Sequence, residues 1–243
     1  IWVVLNLAAL CICVEAACKD LTVQSDFNFT EYIRATWYVQ KQQKNGYQPQ
    51  SNLNCVAATY NETYRGTQKK VPFFGGQVFS VYNDCRIGSK GGPVCTNFTS
   101  PDFKPSFAIP LCARIPDEAQ PAKLSVAPCL LPNFIAGDYW VAAAGPSQDN
   151  YEYAVVVAGQ PTVEKEDGCT TPDTCSNPAQ FSCGLWFFTR DPVPKASVMT
   201  QMMSAAREKG ISTQLLLSVN HRACNYDGYV LKPERVVHGR HSE

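Results

Sequence analysis

The sequence predicts an all-β chain closed as an antiparallel up-and-down barrel, with one α-helix packed outside it near the C-terminus. Three observations predict this. Short runs rich in β-branched and aromatic residues recur along the chain, separated by turn signals. Only one segment, 194–209, has convincing helical periodicity. The strands do not alternate with helices, so a parallel sheet of βαβ units is not indicated.

The elements follow in order. The first strand is read over 36–40, TWYVQ, and Asn45-Gly46 signals a turn. CVAATY over 55–60 is the second strand, ended by Asn61. Phe73-Phe74 is broken by Gly75-Gly76, and 77–82 is the third. From 83 to 133 the chain is loaded with Pro, Gly and Cys. Only 122–126 reads as a strand there, and the rest as long loops held down by disulfides. DYWVAAA over 138–144 and YEYAVVV over 151–157 make a hairpin about a turn at 146–150. A second Cys- and Pro-rich loop fills 159–182, and LWFFT over 185–189 is the last strand. Asp191 before Pro192 and Pro194 suits the start of the helix. Val198, Met202, Ala205 and Lys209 share one helical face, and Gly210 stops the helix. Met199, Met202 and Met203 read as packing residues, not ligands.

Composition narrows the class. The chain has 243 residues, with 21 basic and 21 acidic side chains and no basic stripe, so no nucleic-acid partner is expected. Residues 1–14 are almost unbroken apolar sequence, the length of a signal-peptide core and short of the ~20 residues of a membrane span. Small residues at Val14 and Ala16 suit cleavage, so 1–16 is expected to be a signal peptide, a retained membrane anchor being the alternative. Of twelve Cys, Cys11 and Cys13 fall in that segment. The other ten suit five disulfides in an oxidising compartment. No Cys-x-x-Cys pair occurs, and His221 to Cys224 is the closest His–Cys spacing, so no metal site is expected. Asn28, Asn61 and Asn97 each begin a glycosylation sequon. Together these point to a secreted or lumenal protein, the chloroplast lumen being one alternative.

Catalytic signatures are sparse. The His residues are His221, His238 and His241, all near the C-terminus, and His221 is expected to be a solvated tail residue. A Ser-His-Asp or Cys-His site needs its His packed beside the nucleophile. No Gly-x-Ser-x-Gly elbow, P-loop or His-Glu-x-x-His occurs. No catalytic residue and no cofactor are expected.

Two motifs then act together. Tyr32-Ile-Arg-Ala-Thr-Trp37-Tyr38 stands near the start, and Leu185-Trp-Phe-Phe-Thr-Arg190-Asp-Pro192 stands just before the helix. They resemble the lipocalin family, above all its apolipoprotein D-like branch, where a Gly-x-Trp opens the first strand and an Arg closes the last. Ala35 replaces the usual Gly. The lead-in CKDLTVQSDF over 18–27, CVAATY over 55–60 and the hairpin over 148–154, where Asp149, Tyr153 and Ala154 fit and Asn150 departs, extend the likeness in pieces from Cys18 to Cys224.

The resemblance implies an eight-stranded barrel over 17–224 with insertions at 83–133 and 159–182, and a tail at 225–243. It implies that Arg190 lies over Trp37 at the closed end, a cation–π contact worth ~0.5–2 kcal/mol. It implies disulfides Cys55–Cys224 and Cys18 with one Cys of the 169–183 loop, Cys169 favoured. Trp186 and Phe188 share a strand face with Arg190, so they are expected to line the cavity, as is Tyr60 by the resemblance. Trp140 is a further wall candidate whose parity no motif fixes. The implied function is non-covalent binding and transport of a small hydrophobic ligand: a fatty acid or other lipid, sterol, retinoid, carotenoid or bilin. The loop insertions leave room for a membrane or protein partner. One alternative is an enzyme like violaxanthin de-epoxidase, whose family places an Asp before the Cys of the second strand. Here that residue is Asn54, and an amide is no general acid. The other is an interaction protein whose barrel is filled by its own side chains.

Overall fold

Strand follows strand around a closed barrel because each apolar run pairs with the next. The computed structural model describes residues 18–45, 48–96, 110–173 and 183–234. The expected signal segment, Asn97, Cys175, His238 and His241 lie outside the described residues. A short helix α1 (Phe29–Tyr32) precedes β1 (Trp37–Gln43), β2 (Ala57–Asn61) and β3 (Val78–Arg86). The short β4 (Val94–Thr96) pairs on β3, and β5 (Leu111–Arg114) and β6 (Lys123–Pro128) follow. Next come β7 (Gly137–Ser147) and β8 (Asn150–Val157), then a side hairpin, β9 (Val163–Lys165) with β10 (Gly168–Thr170). The chain continues through β11 (Leu185–Thr189), α2 (Ala196–Glu208) and β12 (Leu216–Ser218).

Eight strands make the barrel, in the order β1-β2-β3-β5-β6-β7-β8-β11, all antiparallel, and β11 closes on β1 from Tyr38↔Thr189 to Gln42↔Trp186. Closure leaves no long open edge. Inward residues alternate along each strand and form one cluster: Trp37, Val39, Tyr60, Val81, Leu124, Tyr139, Val141, Val156, Trp186 and Phe188 belong to it. The outward faces of β7, β8 and β11 carry Ala142, Val155, Val157, Leu185 and Phe187, which α2 covers with Met202 and Ala206. Strands buried on both faces explain the unbroken apolar run of β8 and β11. The helical face centres on Met202 and Ala206, one position off the expected Ala205, while Val198 is half-buried.

Four expectations change. The segment 83–133 is not mainly insertion: it supplies β5 as well as β6, both barrel staves. The strand Leu-Cys-Ala-Arg is only four residues long and ends on a charged residue, so it carries no readable alternation. Arg114 is nonetheless fully buried, because it donates to the carbonyls of Cys112, Pro128 and Leu131 and holds the β6–β7 connection. The 159–182 loop contains the β9–β10 hairpin. Finally, residues 225–234 are no free tail. Tyr229 donates to the Cys55 carbonyl, the Val230 N–H to Asp84, and Thr36 and Lys232 bond twice. His221, expected in solvent, is buried, its two ring nitrogens bonded to the Val39 carbonyl and the Tyr226 hydroxyl.

Disulfides fasten these pieces. Cys18 pairs with Cys169, Cys55 with Cys224, Cys85 with Cys95 and Cys112 with Cys129. Cys183 is also a disulfide cysteine. Such crosslinks persist in oxidising compartments.

Candidate ligand-binding cavity

The closed end is built around one guanidinium. Arg190 follows β11 and its Cζ lies 3.4 Å from the Trp37 ring centroid. Its Nε donates to Tyr151, one terminal nitrogen to Ala35 and Thr36, the other to Glu31 and Tyr32, all at backbone carbonyls. Arginine has five N–H donors, and five carbonyls receive them. Burial pushes its pKa down to about 9, so it remains charged at neutral pH. The Trp37 indole N–H donates to the Tyr32 carbonyl at 2.9 Å. The tip of the β7–β8 hairpin is fixed here too, the Tyr151 N–H donating to Glu31 and the Asn28 N–H to the Tyr151 hydroxyl.

Above this base lies a cavity of about 140 Å3. Val39, Tyr60, Val81, Leu111, Trp186 and Phe188 are among the side chains lining it. It reaches the surface near the exposed Pro49 and Asp138. Tyr60, Trp186 and Phe188 therefore lie where the sequence places them. Trp140 does not: it is on the outer face, packed with the α2 cluster, under the Lys123 ammonium at 4.7 Å. Its neighbour Tyr139 takes the inward position and stacks on Trp186, ring centroids 6.3 Å apart. That parity could have been traced by register, since inward Trp186 opposes Val156, and Val156 opposes Val141, two residues on from Tyr139.

Sequence reasoning missed the cavity's polar groups. Tyr139 bonds both the Tyr32 hydroxyl at 2.7 Å and the Tyr60 hydroxyl at 2.5 Å. Burial raises all three phenol pKa values, so all remain neutral. Gln42 lines the wall nearer the mouth. Its amide nitrogen donates to Gln48 at 3.0 Å, and its side-chain oxygen has no hydrogen-bond partner. A β-bulge between Val39 and Lys41 aims it there. Unbroken alternation from Trp37 would have pointed Lys41 inward; instead Lys41 reaches outward to Ser218. Asp84, also on the lining, accepts from the Val230 N–H at 3.1 Å, and burial pushes its carboxyl up to about 6. Asn54, the counterpart of the de-epoxidase acid, donates from its amide to the Ser51 carbonyl. Among the sequon residues, Asn28 caps α1 by accepting from the Glu31 N–H, and Asn61 ends β2, both partly exposed.

No family model matches the chain. No curated protein matches it either. Solved structures do show likeness. Lobster apocrustacyanin A1 is 14% identical, with 88% of this chain and 94% of that one covered, at a TM-score of 0.49. The major allergen Per a 4 from cockroaches is 13% identical over 86% and 96%, also at 0.49. Apocrustacyanin C2 is 13% identical over 82% and 83%, at 0.46. Likeness this distant carries nothing about this chain's ligand. The strand pairing by itself establishes the fold: a closed eight-stranded barrel of the lipocalin type, with one helix packed outside it.

Proposed function

We propose that this chain is a lipocalin that binds and carries a small hydrophobic ligand in its barrel, outside the cell or in a secretory lumen, without transforming it. One observation carries the reading: an aromatic-lined cavity open at one end and sealed at the other by Trp37 and Arg190. Apolar burial supplies the affinity, at ~25 cal/mol per Å2. Size constrains the ligand. About 140 Å3 is close to the ~150 Å3 cavity that holds a benzene and short of the ~300 Å3 where drug-sized pockets begin. A sterol, retinoid, carotenoid or bilin would therefore seat one ring inside and leave the remainder at the mouth. The disulfides support an oxidising compartment.

Titration with an apolar fluorophore tests this, with tryptophan emission as the readout. Saturable quenching is expected, because Trp186 lies on the wall. A barrel filled by its own side chains would give none, and that result would remove the carrier reading.

A further inference from the structure

Outside the barrel, the β2–β3 loop over 62–77 joins exposed cations to a bare aromatic ring. The loop folds back over the outer face of β3. Tyr64 stacks on Tyr82, ring centroids 5.1 Å apart, and the Arg65 N–H donates to the Tyr82 hydroxyl. Farther along, Val71 is buried with Cys112 and Cys129, and Phe74 packs against the same group. Between those two anchored residues Phe73 is 100% exposed. Its φ of 57° lies in the left-handed region, which strains a bulky side chain. The fold gains nothing from a ring held in water at a strained position, so the ring points to a binding role.

Cations gather in the same loop. Arg65 and Lys69 both lie against the Tyr64 ring, 5.5 and 5.4 Å from its centroid, and Lys70 follows, exposed. No acidic residue occurs from 63 to 83. The β6–β7 connection extends this surface, because Cys129 belongs to the group on which the loop is anchored. Leu130, next in sequence, is 65% exposed and Phe134 is 82% exposed. No acidic residue occurs from 119 to 137. The connection leaves β6 at Pro128 and enters β7 at Gly137, both on the cavity lining, so this surface adjoins the mouth.

We propose that this face docks on an anionic lipid surface. Phe73, Leu130 and Phe134 enter the boundary between headgroups and acyl chains, and Arg65, Lys69 and Lys70 meet the lipid charge. An acidic peptide would satisfy the cations and leave the apolar side chains bare. A second copy docked two-fold on this face would set the cations against their own counterparts. Docking brings the cavity mouth to the phase in which apolar molecules collect. The inference goes beyond the carrier reading and stands without it.

The test is flotation of the folded protein with phosphatidylcholine vesicles, with and without phosphatidylserine, at low and at physiological salt. Binding is expected to the vesicles that contain phosphatidylserine, weakening as salt rises. Lys69→Gln and Lys70→Gln should each weaken it roughly fivefold, the worth of one basic side chain near an anionic surface. Phe73→Gly should weaken it roughly tenfold or more through lost apolar burial. The melting midpoint of that variant should stay near that of the wild type, because glycine adopts this φ without strain. Equal binding to both kinds of vesicle, binding unchanged by Phe73→Gly, or no vesicle binding would each overturn the inference. A dimer in sedimentation that Phe73→Gly dissociates, with no vesicle bound, would assign the face to a second copy instead. All of these outcomes leave the fluorophore titration, and with it the carrier reading, untouched.

Discussion

The two ends of the barrel treat polar groups in opposite ways. At the closed end every N–H of Arg190 meets a carbonyl, and the indole of Trp37 is capped by both the guanidinium and the Tyr32 carbonyl. Along the cavity wall, a glutamine oxygen has no partner and a buried carboxylate has a raised pKa. Saturated polar groups define a unique structure, whereas unsatisfied ones facing a cavity define what may enter it. The difference separates residues that hold the fold from residues that select a ligand.

Arg190→Met should be the most damaging change, since it strands five carbonyls and the face of Trp37. A loss of about 3–5 kcal/mol is expected, by analogy with breaking a buried charged network. Thermal melting would read it as a midpoint about 6–20 °C lower. A fall of only a degree or two would mean that the closed end is not what holds the barrel.

Asp84→Asn should act in the other direction. The carboxyl has a folded-state pKa of about 6, above its ordinary value of 3.8. Between those values the folded state binds more protons than the unfolded one. The contribution of Asp84 to stability therefore falls as pH rises from about 4 to about 6 and stays low above that. Asparagine still accepts from Val230 and carries no charge. It should raise stability at pH 7.5 by ~1–3 kcal/mol and flatten the slope between pH 4 and 6. Denaturant melts at three pH values would check both, and an unchanged slope would count against Asp84 as the titrating group.

Trp186→Leu should leave the fold nearly intact and weaken ligand binding roughly three- to tenfold, the ~0.5–1.5 kcal/mol of one aromatic contact. Trp140→Leu gives the smallest effect on affinity, below twofold, because that ring lies outside the barrel under Lys123. Equal losses from the two substitutions would erase the distinction between wall and outer face. Lost stability with unchanged affinity at Trp186 would make it an ordinary core residue.

How much of this was legible depended on whether a residue's role is local. The Trp37 and Arg190 motifs carry the closed end because each sits beside a strand whose composition reads plainly. The hairpin, the last strand and α2 were legible for the same reason. Lost to view were features set by partners far away in sequence. β5 is defined by pairing with β3 and β6, not by its own four residues. Trp140 misled because alternation leaves two choices and only register decides between them. Lys41 and Gln42 exchange faces at a bulge that no turn residue marks. His221 reads as a tail residue until its two ring nitrogens meet the Val39 carbonyl of β1 and the Tyr226 hydroxyl of the 225–234 strap.

The closures of this molecule also set the order of its making. Trp37 waits for Arg190, Cys18 for a partner 151 residues on, and Cys55 for one 169 residues on. At ~5–20 residues per second, synthesis takes on the order of 10–30 s to deliver each partner. During that interval the early strands have no barrel to join, and Cys18 and Cys55 meet the thiols of Cys85, Cys95, Cys112 and Cys129 first. Contacts so distant in sequence also make folding slow once the chain is complete. A thiol-exchanging helper that undoes premature crosslinks should therefore limit the yield of folded protein more than the final stability of the barrel does.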